Sequence, residues 1–552
     1  MTTNLNNFYP QSVWAHFAAL CAIPRASLHE AALIQHLIEW AKTRGIAACV
    51  DGAGNLILRK PASPGCEAQP GVILQGHLDM VCQANSQANS QANSQANSQA
   101  NAGTQHDFER DPINAVVRDG WVVAENTTLG ADNGIGVALA LAALEATDWV
   151  HPPLEVLLTV NEESGMDGAR GLAAGTLQGR TLINLDTEEW GHFYLGCAGG
   201  VDVEVSNLRE KEKGAAQVFT PTLPLHGGGE AVAVPSDYAL LRFAVSGLRG
   251  GHSGIDIHLG RGNAIKLLVE ALRDLSAHTE LHLLEMRGGT ARNALPREAF
   301  AVCALPAEVA ANIDEWVLHR HEALRKCWAE TDKGVTFTVR YLSSARVQDG
   351  REEVPSDMNV SAHSAQGGGN TYRVISPEAQ ARVLAFLDSA AYGVSRMSED
   401  FAGVVDTSDN LGVVSLVQGE FRANFNVRSL HDGRRDALAD KLMSHAECYG
   451  LRAVKGIAYP GWLPNPSSRL LALCQQVYTA QYGEPAGLQV IHAGLECGLL
   501  AASHPQLDMI SFGPDIRGAH APGERVEIAS VGRCQEFLRA VLQTLGKAEN
   551  LP

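Results

Sequence analysis

Residues 154–165 read LEVLLTVNEESG, an apolar run that ends in two adjacent glutamates. Two other stretches share this pattern, GVILQGHLDM at residues 71–80 and TLINLDTEE at residues 181–189. Short apolar runs with polar ends predict buried strands. Helical patterns alternate with these runs, an amphipathic one at residues 30–44 and one of small residues after Gly134. Strands that alternate with helices predict an α/β fold with a mixed, mostly parallel sheet.

A change of composition near residue 200 predicts a second domain inserted into the first. Charged residues, proline and glycine mix there, and the α/β pattern resumes near Tyr459. A chain of 552 residues also exceeds what one hydrophobic core usually serves. We therefore predict a catalytic domain formed by residues 1–199 and 459–552, interrupted by an α+β lid domain at residues 200–458.

Residues 83–101 repeat the letters QANS four times and end in QAN. Such a polar, low-complexity tract has nothing to bury, so we predict a solvated surface loop without chemistry. A surface-adhesion or binding protein without catalytic activity is the alternative function from another class. The repeat is its only support in the sequence.

Charge and composition exclude several kinds of partner. The formal net charge of −18 repels phosphate backbones, and no basic run interleaved with aromatic residues offsets it. No segment approaches about 18 uninterrupted apolar residues, and the first residues lack the pattern of an export signal. The eleven cysteines include no CxxC pair, which is typical of reduced thiols. We expect a cytoplasmic protein that binds neither nucleic acid nor membrane.

Five candidate metal ligands follow apolar runs or glycine-flanked turns, where ligands gather at the edge of an α/β sheet. They are His77, Asp132, Glu163, Asp186 and His520. Two imidazoles and three carboxylates exceed what one four-coordinate ion with a free position needs, but they suit two ions that share one carboxylate. Asp132 is the predicted bridge. This ligand set suits zinc, and softness alone does not separate zinc from cobalt or manganese.

Two carboxylates next to these ligands have predicted roles in hydrolysis. Between metals about 3.5 to 4 Å apart, a bridging water is acidic enough to be hydroxide near neutral pH. Glu162 precedes Glu163 without being a predicted ligand itself, which suits a general base. Asp79 lies two residues after His77, on the same face of an extended segment, where it can orient the imidazole.

Long motifs spread over nearly the whole chain resemble those of the aminoacyl-histidine dipeptidases, also called Xaa-His dipeptidases or peptidase D. They are GHLDMV, TTLGADNGIG, LTVNEESGMDGARGL, INLDTEE, GLRGGHSGIDIHLGRGNA, GGTARNALP, HAGLECGLL and SFGPDIRGAHAPGERVEI. The resemblance breaks at the QANS tract and at the Gly-rich stretches near residues 209–234 and 359–371. It implies a dinuclear zinc peptidase of the clan that also contains aminoacylases and carboxypeptidases.

The resemblance also implies a role for each site residue. His77 and Asp186 hold one zinc ion, Glu163 and His520 hold the other, and Asp132 bridges them. Glu162 is the catalytic base and Asp79 orients a ligand. In the lid domain, His252 resembles the histidine that stabilises the carbonyl oxygen. Asn293 and Arg428 resemble positions that contact the polar ends of the substrate, and Arg428 suits a C-terminal carboxylate. We expect Gly494 to offer backbone polar groups at the same pocket. The alternatives are structural, with His252 capping a turn and Arg428 pairing inside the lid.

These residues together predict hydrolysis of unblocked dipeptides, with Xaa-His dipeptides as the implied substrates and two zinc ions per chain. An N-acyl-amino-acid deacylase or a carboxypeptidase that uses the same metals is the alternative enzyme. The oligomeric state stays open between a monomer with a self-contained site and a homodimer, since simpler relatives take the lid histidine from a partner subunit.

Overall fold

The computed structural model describes residues 5–84, 106–207, 230–233, 237–343, 371–401 and 403–547. The predicted QANS loop therefore lies outside the described residues, apart from Gln83 and Ala84. The chain forms two compact units. The first consists of Met1–Cys197, Trp462–Val490 and Leu495–Pro552, and the second of Ala198–Gly461 and Ile491–Gly494.

The main sheet of the first unit has eight strands. In spatial order they are Ala47–Val50, Leu56–Lys60, Leu154–Thr159, Val72–His77, Thr181–Asn184, Asp508–Ser511, His192–Cys197 and Gly487–Ile491. The four strands from Leu154–Thr159 to Asp508–Ser511 run parallel. Antiparallel pairs flank them on both sides. The predicted α/β fold with a mixed sheet is confirmed, and its parallel pairing lies at the centre.

A smaller sheet and a set of helices complete the first unit. The small sheet contains Ile516–Arg517, Arg525–Glu527, Trp121–Ala124 and Ala115–Arg118. The helices are Gln11–Cys21, Ala31–Thr43, Ala131–Glu145, Glu162–Gly165, Asp167–Gly171, Arg469–Tyr482, Glu496–Ser503 and Ile528–Lys547, with a 3₁₀ turn at Leu5–Asn7. Among the helices that the structure describes, none is long and apolar enough to span a membrane.

The helix Ala131–Glu145 is buried along almost its whole length because its sequence, ADNGIGVALALAALE, is nearly all small or apolar. It packs against the strand Val72–His77. Gly76 makes this approach possible, because a Cβ atom there would overlap Oδ1 of Asn133. The contact brings the start of the helix next to the end of the strand, where His77 lies.

The second unit is built on a nine-stranded antiparallel sheet. Its strands are Thr336–Ser343, Tyr238–Ser246, Ala299–Pro306, His282–Gly288, Val405–Val417, Glu420–Ser429, Gly199–Ser206 and Arg452–Lys455, with Gly393–Met397 paired to Val405–Val417. Two-stranded pairs join Glu230–Ala233 to Thr371–Val374 and Gly251–His252 to Ala294–Leu295.

Helices cover the sheet of the second unit, which gives the predicted α+β architecture. They are Ala264–His278, Ala307–Ala310, Ile313–Cys327, Pro377–Ser389 and Asp432–Cys448, with a 3₁₀ turn at Ile257–Leu259. The helix Ala264–His278 shows how the sequence sets this packing. Its residues Ile265, Leu268 and Leu272 follow helical spacing and are buried. The side chain of Asn263 caps its first turn by accepting from the backbone N–H of Ile265 at 3.0 Å.

Candidate metal centre

The five predicted metal ligands come together in the first unit, at the carboxyl ends of its parallel strands and in two neighbouring loops. His77 is the last residue of its strand, and Glu163 starts the short helix that follows the strand Leu154–Thr159. Asp186 lies two residues after the strand Thr181–Asn184. Asp132 begins the buried helix, and His520 lies between two strands of the small sheet.

Asp132 divides its two carboxylate oxygens between the two histidines. Its Oδ1 lies 3.1 Å from Nε2 of His77, and its Oδ2 lies 3.1 Å from Nε2 of His520. The same nitrogen of His77 lies 3.4 Å from Oδ1 of Asp186, and that of His520 lies 3.1 Å from Oε2 of Glu163. The ligands therefore form two triads that share Asp132, and in each triad the ligand atoms lie within 4.8 Å of one another. This is the arrangement that two ions with a bridging carboxylate need.

Buried carboxylate oxygens that accept no hydrogen bond show that the site suits cations. Oε1 of Glu163 and Oδ1 of Asp186 are buried and accept no hydrogen bond, although Nε2 of His77 lies 3.4 Å from the oxygen of Asp186. A buried carboxylate oxygen without a donor is costly, and a divalent ion would supply the missing positive charge. Imidazole and carboxylate ligands without thiolate suit zinc, cobalt or manganese. The side chain of His77 is 1% exposed and that of His520 is 51% exposed, so the His520 side of the site is open to solvent.

Asp79 contacts both a histidine and the backbone of the pair of glutamates. Its Oδ1 lies 3.4 Å from Nδ1 of His77, and its backbone oxygen lies 3.1 Å from the same nitrogen. Its two carboxylate oxygens accept the backbone N–H groups of Glu162 and Glu163, at 2.9 and 3.1 Å. Burial opposes ionisation of Asp79, but hydrogen bonds from His77 and Ser27 lower its pKa to about 2. With Nδ1 turned toward Asp79, His77 presents Nε2 to the centre.

Glu162 lies beside the two triads that share Asp132 and belongs to neither. Its carboxyl group also falls within ligand distance of His77 and Glu163, so it faces the centre. Burial raises its pKa well above the usual value, and the charges of Glu163, Asp186 and Glu496 add to this effect, while His77 opposes it. A carboxylate with raised proton affinity that faces the ligands suits a general base.

Glu496, which the sequence analysis did not single out, lies in a buried polar network beneath the strand ends. Its Oε2 accepts hydrogen bonds from Nε2 of Gln75 and Oγ1 of Thr159, both at 2.6 Å. Gln75 accepts in turn from Asn184 at 2.5 Å, and Asn184 from Ser511. Gln75 and Asn184 each precede a predicted ligand by two residues, so the network supports the strands that lead to His77 and Asp186. In the sequence, Glu496 is marked only by its place in the motif HAGLECGLL. That motif predicts a substrate contact at Gly494 and indicates no role for Glu496.

The predicted residues of the lid domain lie in the second unit, where His252 and Asn293 are neighbours. His252 lies in the strand Gly251–His252, which pairs with the strand Ala294–Leu295 directly after Asn293. The backbone N–H of Ser253 donates to the backbone oxygen of Asn293 at 2.8 Å. Nδ1 of His252 accepts the backbone N–H groups of Gly254 and Ile255, at 3.2 and 3.0 Å. A neutral His252 therefore carries its proton on Nε2, where it can act as a donor.

Arg428 and Gly494 also belong to the second unit. Arg428 is buried and donates to the hydroxyl of Tyr459 at 2.8 Å. Gly494 lies two residues after His492. The carbonyl oxygen of His492 packs so tightly against Gly254 that a Cβ atom on Gly254 would overlap this oxygen. The predicted boundaries assign Gly494 to the stretch 459–552, whereas the structure groups Ile491–Gly494 with the second unit. This segment packs against the loop of His252, which explains the difference.

His492 is a further buried residue that the sequence analysis missed. Its Nε2 lies 2.8 Å from Oγ of Ser408. Ser408 lies opposite Arg428 in the pair of neighbouring strands Val405–Val417 and Glu420–Ser429. Burial and the nearby charge of Arg428 lower its pKa to about 3. His492 is therefore neutral at physiological pH.

The family model described as peptidase family M20/M25/M40 matches residues 73–544, which is most of the chain. The chain belongs to this peptidase family. It is therefore a peptide hydrolase, and the predicted class of metal-dependent peptidase is confirmed.

Two relatives match almost end to end. The chain is 37% identical over 543 residues to the cytosol non-specific dipeptidase of Escherichia coli strain K12, covering 98% of this chain and 99% of the relative. It is also similar to the crystal structure of the aminoacylhistidine dipeptidase from Vibrio alginolyticus. That comparison gives 36% identity, a TM-score of 0.72 and 98% coverage of both chains. The resemblance to the aminoacyl-histidine dipeptidases is confirmed.

Proposed function

We propose that the chain hydrolyses unblocked dipeptides, Xaa-His dipeptides among them, with two zinc ions held by the two triads. The observation that carries this proposal is the position of Asp132, with one carboxylate oxygen 3.1 Å from each histidine. The names of the two relatives support dipeptides as the substrate class, one as a non-specific dipeptidase and the other as an aminoacylhistidine dipeptidase. Asp186 completes the first triad, and Glu163 the second.

Bound divalent ions supply Lewis-acid chemistry, which polarises the scissile carbonyl and acidifies water. Glu162 takes the proton of the attacking water and delivers it to the leaving amine as the C–N bond breaks. Nε2–H of His252 donates to the carbonyl oxygen as negative charge develops there. Arg428 binds the C-terminal carboxylate of the substrate with its guanidinium group. Asn293 and the backbone of Gly494 bind the remaining polar groups.

Substitution of Glu162 tests this assignment of the base. Glu162→Gln keeps the size of the side chain and removes its ability to take a proton. We expect kcat to fall by about 10²- to 10⁴-fold while the protein still binds two zinc ions, as measured by metal analysis of the purified variant. Glu125→Gln, which changes an exposed glutamate paired with Arg118, serves as the control and should leave kcat unchanged. Near-normal turnover of Glu162→Gln with both metals bound would contradict the mechanism.

We also propose a cytoplasmic location. The E. coli relative is named a cytosol dipeptidase, which supports this location. Fractionation of cells that express the chain tests the location, and recovery of the activity outside the cytoplasm would contradict it. A homodimer stays a prediction, which the molar mass of the purified protein in solution would decide.

A further inference from the structure

The loop that carries Asp132 is held from two sides by buried charged residues. Glu524 accepts three of its backbone N–H groups: Oε2 accepts from Leu129 and Gly130, both at 2.8 Å, and Oε1 accepts from Asp132 at 3.1 Å. On the other side, Arg25 donates to the backbone oxygen of Gly130. The peptide groups around Gly130 are therefore fixed at both their N–H and C=O ends.

Arg25 and Glu524 also connect this loop to the segments of the two histidines. The guanidinium group of Arg25 donates to the backbone oxygens of Leu78 and Asp79, both at 2.9 Å, directly after His77. Glu524 lies four residues after His520 in the same loop. The two residues thus join the three segments whose side chains must meet if Asp132 is to bridge.

The environment of both residues suits a rigid support. Arg25 is 3% exposed and Glu524 is 2% exposed, so their hydrogen bonds do not compete with solvent. Gly130 has a φ of 68°, and a Cβ atom there would overlap the guanidinium group of Arg25. A glycine in this left-handed conformation lets the guanidinium group reach the loop.

We propose that Arg25 and Glu524 are positioning residues that fix the Asp132 loop before metal binds, so that both ions meet a preformed bridging carboxylate. We call the pair the Arg25–Glu524 clamp. Asp132 must present one oxygen to each side of the centre, so a small rotation of its loop weakens both ion sites together. The proposal rests on the dinuclear centre of the proposed function and adds two residues that belong to neither ligand triad.

Hydrogen exchange of the metal-free wild-type protein tests the clamp without any substitution. We expect the amide hydrogens of Leu129, Gly130 and Asp132 to exchange slowly in the absence of metal, because Glu524 already accepts them. Addition of zinc should change their exchange little. Exchange at the rate of an unstructured loop without metal, followed by protection when zinc is added, would overturn the proposal, since the loop would then be ordered by the ions.

Zinc titration against a competing chelator tests the same proposal with variants. Glu524→Gln replaces an acceptor oxygen with a donor amide, and Arg25→Lys loses the fork of donors. We expect each variant to bind zinc about 10- to 100-fold more weakly than the wild type. At saturating zinc the KM for the dipeptide should stay unchanged, because both side chains are buried and their hydrogen bonds go to backbone groups.

The controls separate the clamp from the proposed function. Glu527→Gln removes a nearby glutamate that pairs with Arg533, and Arg44→Gln removes an arginine that pairs with Glu145. Both should bind zinc like the wild type. If the wild type binds two ions and both clamp variants bind them with equal affinity, the clamp is wrong while the function stands. If the wild type itself fails to bind two ions, the dinuclear centre is wrong. If a variant does not fold, the exchange measurement still decides.

Discussion

The carboxyl group of Glu496 should stabilise the first unit through two buried hydrogen bonds. Nε2 of Gln75 and Oγ1 of Thr159 both donate to one oxygen at 2.6 Å, and all three side chains are fully buried. Glu496→Met keeps a similar length but removes this acceptor, which leaves Nε2 of Gln75 with Oγ1 of Thr159 at 3.4 Å and Oγ1 of Thr159 with the backbone oxygen of Gly76 at 3.3 Å. An unsatisfied buried donor costs about 1–3 kcal/mol, and these longer hydrogen bonds offset part of that cost, so we expect the free energy of unfolding to fall by about 1–4 kcal/mol.

Glu496→Gln is the matched variant for this prediction. Burial raises the pKa of Glu496 to about 7, so at pH 6 the side chain is protonated in the metal-free protein. Glutamine, like the protonated acid, presents one acceptor oxygen and one group that carries hydrogen. We expect it to lie within about 1 kcal/mol of the wild type in urea unfolding at pH 6. Equal losses for the two variants, or no loss for Glu496→Met, would refute the reasoning.

Three further predictions concern pH, packing and metal. Burial raises the pKa of Asp409 from 3.8 to about 8, so the native state keeps a proton that the unfolded chain has lost. Its contribution to stability is full below about pH 4 and is lost as the pH rises through about 8. Between pH 6 and pH 8 the wild type should lose roughly 2 kcal/mol more in urea unfolding than Asp409→Asn does, because other buried carboxyl groups titrate equally in both proteins; parallel curves would contradict this. Gly76→Ala should weaken zinc binding in a chelator titration, because the new Cβ would displace Asn133 from the His77 strand, and wild-type affinity would contradict that contact. Zinc should raise the melting temperature of the wild type more than that of Asp132→Asn, since the amide of asparagine is a poor bridge; equal shifts would contradict the bridging role.

The strand ends of the site could be predicted because their apolar runs are short and end in polar residues. The runs before His77, Glu163 and Asp186 became three neighbouring parallel strands, and the carboxyl ends of such strands lie at one edge of a sheet. The edges of the sheet were harder to predict, because a buried apolar run has the same pattern in parallel and antiparallel pairs. His520 lies far along the chain from the other ligands, and the family resemblance connected it to them.

The buried residues that hold the site in place, Arg25, Glu524 and Glu496, could not be predicted from the sequence. Most of their contacts involve backbone groups or distant segments of the chain. Arg25 donates to three carbonyl oxygens and Glu524 accepts three backbone N–H groups, so no second side chain marks either contact in the sequence. Glu496 depends on Gln75 and Thr159, which come from strands more than 300 residues earlier. Such partners become visible only when the strands are assembled.

We propose above all that a dinuclear metal centre in this chain hydrolyses unblocked dipeptides. The most direct test measures free histidine released by the purified protein from Gly-His, from β-alanyl-histidine and from N-acetyl-histidine. Each substrate is assayed with metal bound, after removal of metal by a chelator, and after two equivalents of zinc are restored. The proposed function predicts release from the unblocked dipeptides that stops with the chelator and returns with zinc. Release from N-acetyl-histidine alone would indicate a deacylase, and release that survives removal of metal would contradict the metal centre.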